Sequence, residues 1–158
     1  MKNLLLILLL ISGINNSFAQ QKISKGNITE KEIDFLSSTL KWKDSTMVIH
    51  FLQPKKNCHY NNYKNLKGSR RWYKDYNSKI NALSAQYRFV YSDASAAENV
   101  IDNKVGFPDT DDFFLSKFFN KTPYCHAVMV INRKGSYILK DSEYSDEEIT
   151  EMINSLKS

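Results

Sequence analysis

The sequence predicts an α/β domain: a central mixed sheet of about four strands flanked by helices, closed by a β-hairpin and a C-terminal helix. Three observations predict it. Apolar runs of strand length alternate with segments whose apolar residues recur every three or four positions. The early strands are separated by helical stretches, as in α/β folds. The last two are separated only by a tight turn, which makes them an antiparallel hairpin. The order reads α-β-α-β-α-β-β-α, a mixed sheet with helices on both faces.

Each element has its own signal. Thr29 and Glu32 form a T-x-x-E capping box, and Ile33, Leu36 and Leu40 share a face, so residues 30–41 are predicted as a helix. Residues 47–52 are a nearly continuous apolar run, the pattern of a buried central strand, with Pro54 ending it. His50 lies inside that run and reads as a core histidine with a hydrogen-bond partner. A long helical stretch is predicted within residues 60–87, its core face carrying Trp72, Tyr73, Tyr76, Ile80, Leu83 and Tyr87. Residues 88–91 read as a second strand. Residues 92–110 read as loop with a short helical turn near 96–101. Asp109, Asp111 and Asp112 then open a helix that carries Phe113, Phe114, Phe118 and Phe119, acidic residues being favourable in a first turn. Residues 127–132 and 137–139 are strands joined at Arg133-Lys134-Gly135. Ser145 and Glu148 form a second capping box, before a helix marked by Ile149, Met152, Ile153 and Leu156.

The chain has 158 residues, 42% hydrophobic and 25% charged, with two cysteines and a net charge of +5. That suits one domain with a real core, and excludes a disulfide-scaffold miniprotein, a four-cysteine zinc ribbon and a disordered chain. Residues 1–19 read as a secretory signal peptide: Lys2, an apolar run over residues 4–11, then Ser17-Phe18-Ala19 as a small-x-small cleavage site. The apolar run is too short to span a bilayer, and no later segment approaches that length. The expected organisation is a leader over 1–19, an N-terminal helical extension over 20–44 and the main domain over 45–158. The expected location is periplasmic or secreted, where a disulfide persists.

The element order and the stretch from Ala127 to Gly135 resemble the thioredoxin-like superfamily, in its secreted thioredoxin-like and peroxiredoxin-like branch. The similarity covers roughly residues 45–156. It implies an active-site loop after the first core strand, normally C-x-x-C. Here that loop holds one cysteine, Cys58, with Lys55 three residues before it and Asn61 three after, so the motif is degenerate. The family's cis-proline position falls on His126, and Pro123 lies three residues earlier. The resemblance further implies that the loop bearing Cys58 and the loop bearing Cys125 face each other.

Two dipeptides, Cys58-His59 and Cys125-His126, hold both cysteines and two of the three histidines. Four readings remain open. One is a structural Cys58–Cys125 disulfide. The second is a redox-active pair: Cys58 as nucleophile, its thiolate favoured by a helix N-terminus, His59 and nearby basic charge, and Cys125 as resolving thiol, with His59 and His126 tuning both. The third is a Cu or Zn site made of Cys58, His59, Cys125 and His126. The fourth is two unrelated thiols. The function these imply is either a thiol–disulfide oxidoreductase or a non-catalytic binding module of the same fold. No motif demands an organic cofactor.

Residues 55–79 carry eight basic residues and one acid, Asp75, with aromatics interleaved. Helical spacing of the aromatics argues for a solvated basic face covering the sheet and against nucleic-acid binding. An acidic or anionic envelope partner is the alternative, beside protein thiols and disulfides. Asp109, Asp111 and Asp112 lack the glycine and distal glutamate of a calcium loop, so helix capping accounts for them better.

Overall fold

A computed structural model describes residues 23–53, 65–78, 85–120 and 124–157. The predicted leader and the cysteine loop around Cys58 lie outside the described residues. The elements in chain order are β1 (Ile23–Asn27), α1 (Glu30–Thr39), β2 (Thr46–Leu52), α2 (Leu66–Ser78), β3 (Ala85–Tyr91), β4 (Gly106–Pro108), a 3-10 turn (Thr110–Asp112), α3 (Phe113–Lys117), β5 (His126–Asn132), β6 (Ser136–Lys140) and α4 (Asp146–Lys157). Among the described residues the sheet has six strands in the order β1-β6-β5-β2-β3-β4. It is mixed: β2 runs parallel to β3 and antiparallel to β5. The α/β class holds, and the expected count of about four strands is corrected to six.

Local chemistry explains why the elements start where they do. At α1, the Thr29 hydroxyl accepts from the Glu32 N–H, and the Glu32 carboxylate accepts from the Thr29 N–H at 2.8 Å. At α4, the Ser145 N–H donates to Glu148 at 2.8 Å and the Glu148 N–H donates back to the Ser145 hydroxyl. Both capping boxes were legible because they are contacts between residues three apart. The hairpin turns at Gly135, whose φ of +85° lies in the region that side chains disfavour. Of the three aspartates expected to cap the helix, Asp109 does so from a distance, its carboxylate accepting from the N–H groups of Phe114 and Leu115 at 2.9 and 2.8 Å. Asp111 and Asp112 have φ of +56° and +51°, and Asp112, at the N-cap of α3, makes no side-chain cap bond.

Strand β2 is the centre of the core, with all seven residues buried. Alternate side chains serve opposite faces. Met47, Ile49 and Phe51 join Ala127, Met129 and Ile131 beneath α1 and α3. The Phe51 and Phe119 rings stack there at 4.4 Å. On the other face, Val48 packs with Val128, Val130 and the Ile149, Met152 and Ile153 side of α4. Leu52 and Phe89 pack with Leu66 of α2.

Three expectations change. The segment before α1 contributes β1, which pairs antiparallel with β6. Gly26 permits that pairing, because a Cβ there would stand 2.6 Å from the Tyr137 hydroxyl. The helical stretch expected within residues 60–87 is described as α2 over Leu66–Ser78, and Tyr87, expected on its core face, belongs to β3. Trp72, assigned to its core face, is 60% exposed; Leu66 and Ser69 are the buried positions. Tyr60, Ile80 and Leu83 lie outside the described residues, as do the side chains of Tyr73 and Tyr76.

Candidate functional site

The candidate site lies where β2 ends and β5 begins. These strands are antiparallel, and the register pairs Leu52 with His126. Past that pair, the Gln53 N–H donates to the Cys125 carbonyl at 2.7 Å. The chain leaving β2 toward Cys58 therefore departs from beside the backbone of Cys125. The Leu52 carbonyl accepts from the Ser92 N–H at 3.0 Å, which ties the end of β3 to the same edge. This is the carboxyl end of the parallel pair β2 and β3, a common place for sites in open α/β sheets.

Gln53 braces the edge. It is 7% exposed, and its side-chain amide donates to the Phe119 carbonyl at 3.2 Å. One residue thus joins the end of β2, the start of β5 and the segment after α3. Sequence patterning did not single it out; the only available signal was a glutamine between a buried strand and Pro54.

Cys125 and His126 are both half-buried. Cys125 does not exist as a free thiol. Cys58 and His59 lie outside the described residues, so the structure describes two of the four candidate residues. Burial pushes the His126 imidazole below the ordinary histidine pKa, and the nearby Glu143 carboxylate opposes the shift only in part. The ring is therefore neutral at neutral pH and able to accept a proton.

His126 belongs to a cluster of rings. Its centroid is 5.6 Å from Tyr144, edge to face. Tyr144 stacks on His50 at 5.7 Å, and its hydroxyl is 2.8 Å from His50 Nδ1. His50 is fully buried and stacks on Phe89 at 5.1 Å. The core-histidine reading of His50 holds, with Tyr144 as its partner. Tyr144 was missed, because its contacts join strands far apart in sequence.

Among the described residues, no group of three or more His, Cys, Asp or Glu is placed to hold a metal ion. No described helix is long and apolar enough to cross a membrane. The basic helix α2 divides its charges. Arg70 is half-buried, donates to the Val100 carbonyl and pairs with Asp102. Burial alone would raise the Asp102 pKa, but N–H donors from Val105, Gly106 and Lys104, together with Arg70, hold it well below the usual carboxylate range. Lys67, Arg71 and Lys74 remain exposed. Compared with known protein families, curated proteins and solved structures, the chain matches none.

Proposed function

We propose that this chain is an exported thioredoxin-like protein, periplasmic or secreted, that exchanges thiols and disulfides through Cys58 and Cys125. The observation that carries the reading is the placement of Cys125, which is not a free thiol, with its carbonyl bonded to Gln53 at the start of the segment that leads to Cys58. The chain contains two cysteines, so the only intramolecular partner for Cys125 is Cys58.

The topology supports the fold part of the reading. The inner order β6-β5-β2-β3, with β2 and β3 parallel and β5 antiparallel to both neighbours, is the arrangement that a thioredoxin-like core requires. In the proposed reaction the Cys58 thiolate attacks a substrate disulfide, forming a mixed disulfide and releasing one substrate thiolate. Cys125 then attacks the Cys58 sulfur and releases the second, leaving the substrate reduced and the protein pair oxidised. An external dithiol restores the pair. The neutral imidazole of His126 would take the Cys125 proton, and His59 would stand beside Cys58.

The second reading is a binding module whose Cys58–Cys125 bond is structural. The buried bracing at Gln53 favours a fixed edge and keeps this reading in view. Thiol titration with and without mild reductant, then reduction of a model disulfide, separates the two. Turnover together with a potential above about −300 mV supports exchange. No turnover and a lower potential leave the structural module. Two titratable thiols in the oxidised protein would remove both.

A further inference from the structure

We infer that Tyr144 is a positioning residue of the candidate site: tethered at its hydroxyl to buried His50, its ring fixes the His126 imidazole next to Cys125. The inference rests on the exchange reading of Cys58 and Cys125. Leu52 and His126 are paired across β2 and β5, and His50 stands two residues before Leu52, so both histidines lie on one face of the sheet. Tyr144 comes over that face from the segment between β6 and α4, one residue before the Ser145 cap. It packs there against both groups of buried residues, the one around Val48, Val128 and Ile149 and the one around Leu52 and Phe89.

An aromatic residue just before a helix cap needs only its ring to staple the first turn. The Tyr144 hydroxyl has a further task. It lies 2.8 Å from Nδ1 of His50, a residue with no exposed surface, and the Tyr144 ring stacks on the same imidazole. Breaking a bond between such groups costs their desolvation, so the ring is held firmly in place. Its other contact is with His126, edge to face at 5.6 Å. The ring also takes the place of water beside that imidazole, which favours the neutral form. The charged groups near His126 are Glu143, on the same segment as Tyr144, and Lys140, which stands opposite Val128 and pairs with Glu148. All three are kept in the variants that test the inference.

The chain has three histidines, and the NMR signals of His126 are those missing from His126→Ala. Tyr144→Leu removes the ring. The titration midpoint of His126 should then rise toward the ordinary histidine value, and the acid limb of the pH–rate profile should move up with it. The kcat should fall about as far as in His126→Ala, about a hundredfold, with KM unchanged. Tyr144→Phe keeps the ring and its packing but removes the tether. There the midpoint should hold, the ring-current shifts of the His126 protons should move, and kcat should fall about tenfold. Neither loss should multiply with that of His126→Ala, because Tyr144 acts through His126. A wild type without turnover would sink the exchange reading, while the midpoint and the ring-current shifts would still decide the role of Tyr144. A Tyr144→Leu midpoint equal to that of the wild type, unmoved His126 signals in Tyr144→Phe, or losses that multiply with His126→Ala would overturn the inference.

Discussion

At the residue scale, His126 is set by two opposed effects. Burial favours the neutral ring, and Glu143 favours the charged one. Burial dominates, so the folded pKa lies below the value in an unfolded chain. Stability from this group is full above the unfolded value, near 6.5, and declines as pH falls through the lowered folded value. The same sign governs the proposed chemistry. Turnover should persist at pH values where an exposed histidine is already protonated, and His126→Ala should reduce it by about a hundredfold. A pH–rate profile of the wild type and variant checks both; an unchanged acid limb in His126→Ala would remove His126 from the reaction. A second residue gives a cleaner stability test. Ser69 is buried, and its hydroxyl has no hydrogen-bond partner among the described residues. Ser69→Ala deletes an unsatisfied group, so we expect it to be neutral or stabilising by up to about 1 kcal/mol in urea unfolding. A clear loss would mean that the hydroxyl is bonded in solution.

At the element scale, α4 depends on a carboxylate with two tasks. Glu148 closes the capping box with Ser145 and also pairs with Lys140, which is only 1% exposed. Burial alone would raise the Glu148 pKa, but Lys140 and the Ser145 N–H hold it below the ordinary value. Glu148→Ala removes the cap and strands a buried ammonium, so we expect a loss of about 3 kcal/mol. Lys140→Met/Glu148→Gln strands nothing, and thermal or urea unfolding should show it recovering most of that loss. A double variant no better than the single one would place the cost in the cap alone. The same element shows what sequence can reveal. The boxes at Thr29 and Ser145 are local, and so were legible. Strand β1 reads Ile-Ser-Lys-Gly-Asn, with one large apolar residue, and owes its existence to the edge that β6 offers. Strand β4 is three residues long, below the length at which a pattern can register. In α2 the spacing of aromatics indicated a helix but not its inward side. Leu66 and Ser69 took that side, and Trp72 was left outside.

At the scale of the whole molecule, the candidate site is a product of topology. The two Cys-His dipeptides could be read from the chain, yet that Cys125 lies beside Gln53, where β2 ends, depends on β2 and β5 being antiparallel neighbours. Gln53 and Tyr144 could not be read at all, because each acts across strands that meet only after folding. The proposed Cys58–Cys125 bond would close a loop of 66 intervening residues, spanning α2, β3, β4 and α3. Restricting an unfolded chain over such a loop is worth about 4 kcal/mol in the chain-entropy account. Reductant should therefore lower the urea midpoint of the wild type by a corresponding amount, with little change in the folded spectrum. Cys58→Ala/Cys125→Ala should match the reduced wild type and should not respond to reductant. A redox-active bond and a structural one differ at this scale too. The active bond should open in mild dithiol before the fold loosens, whereas the structural bond should resist until strong reductant or denaturant is present. Equal midpoints for oxidised and reduced wild type would show that the bond contributes nothing to stability, and would leave exchange as the sole reason for pairing the two cysteines.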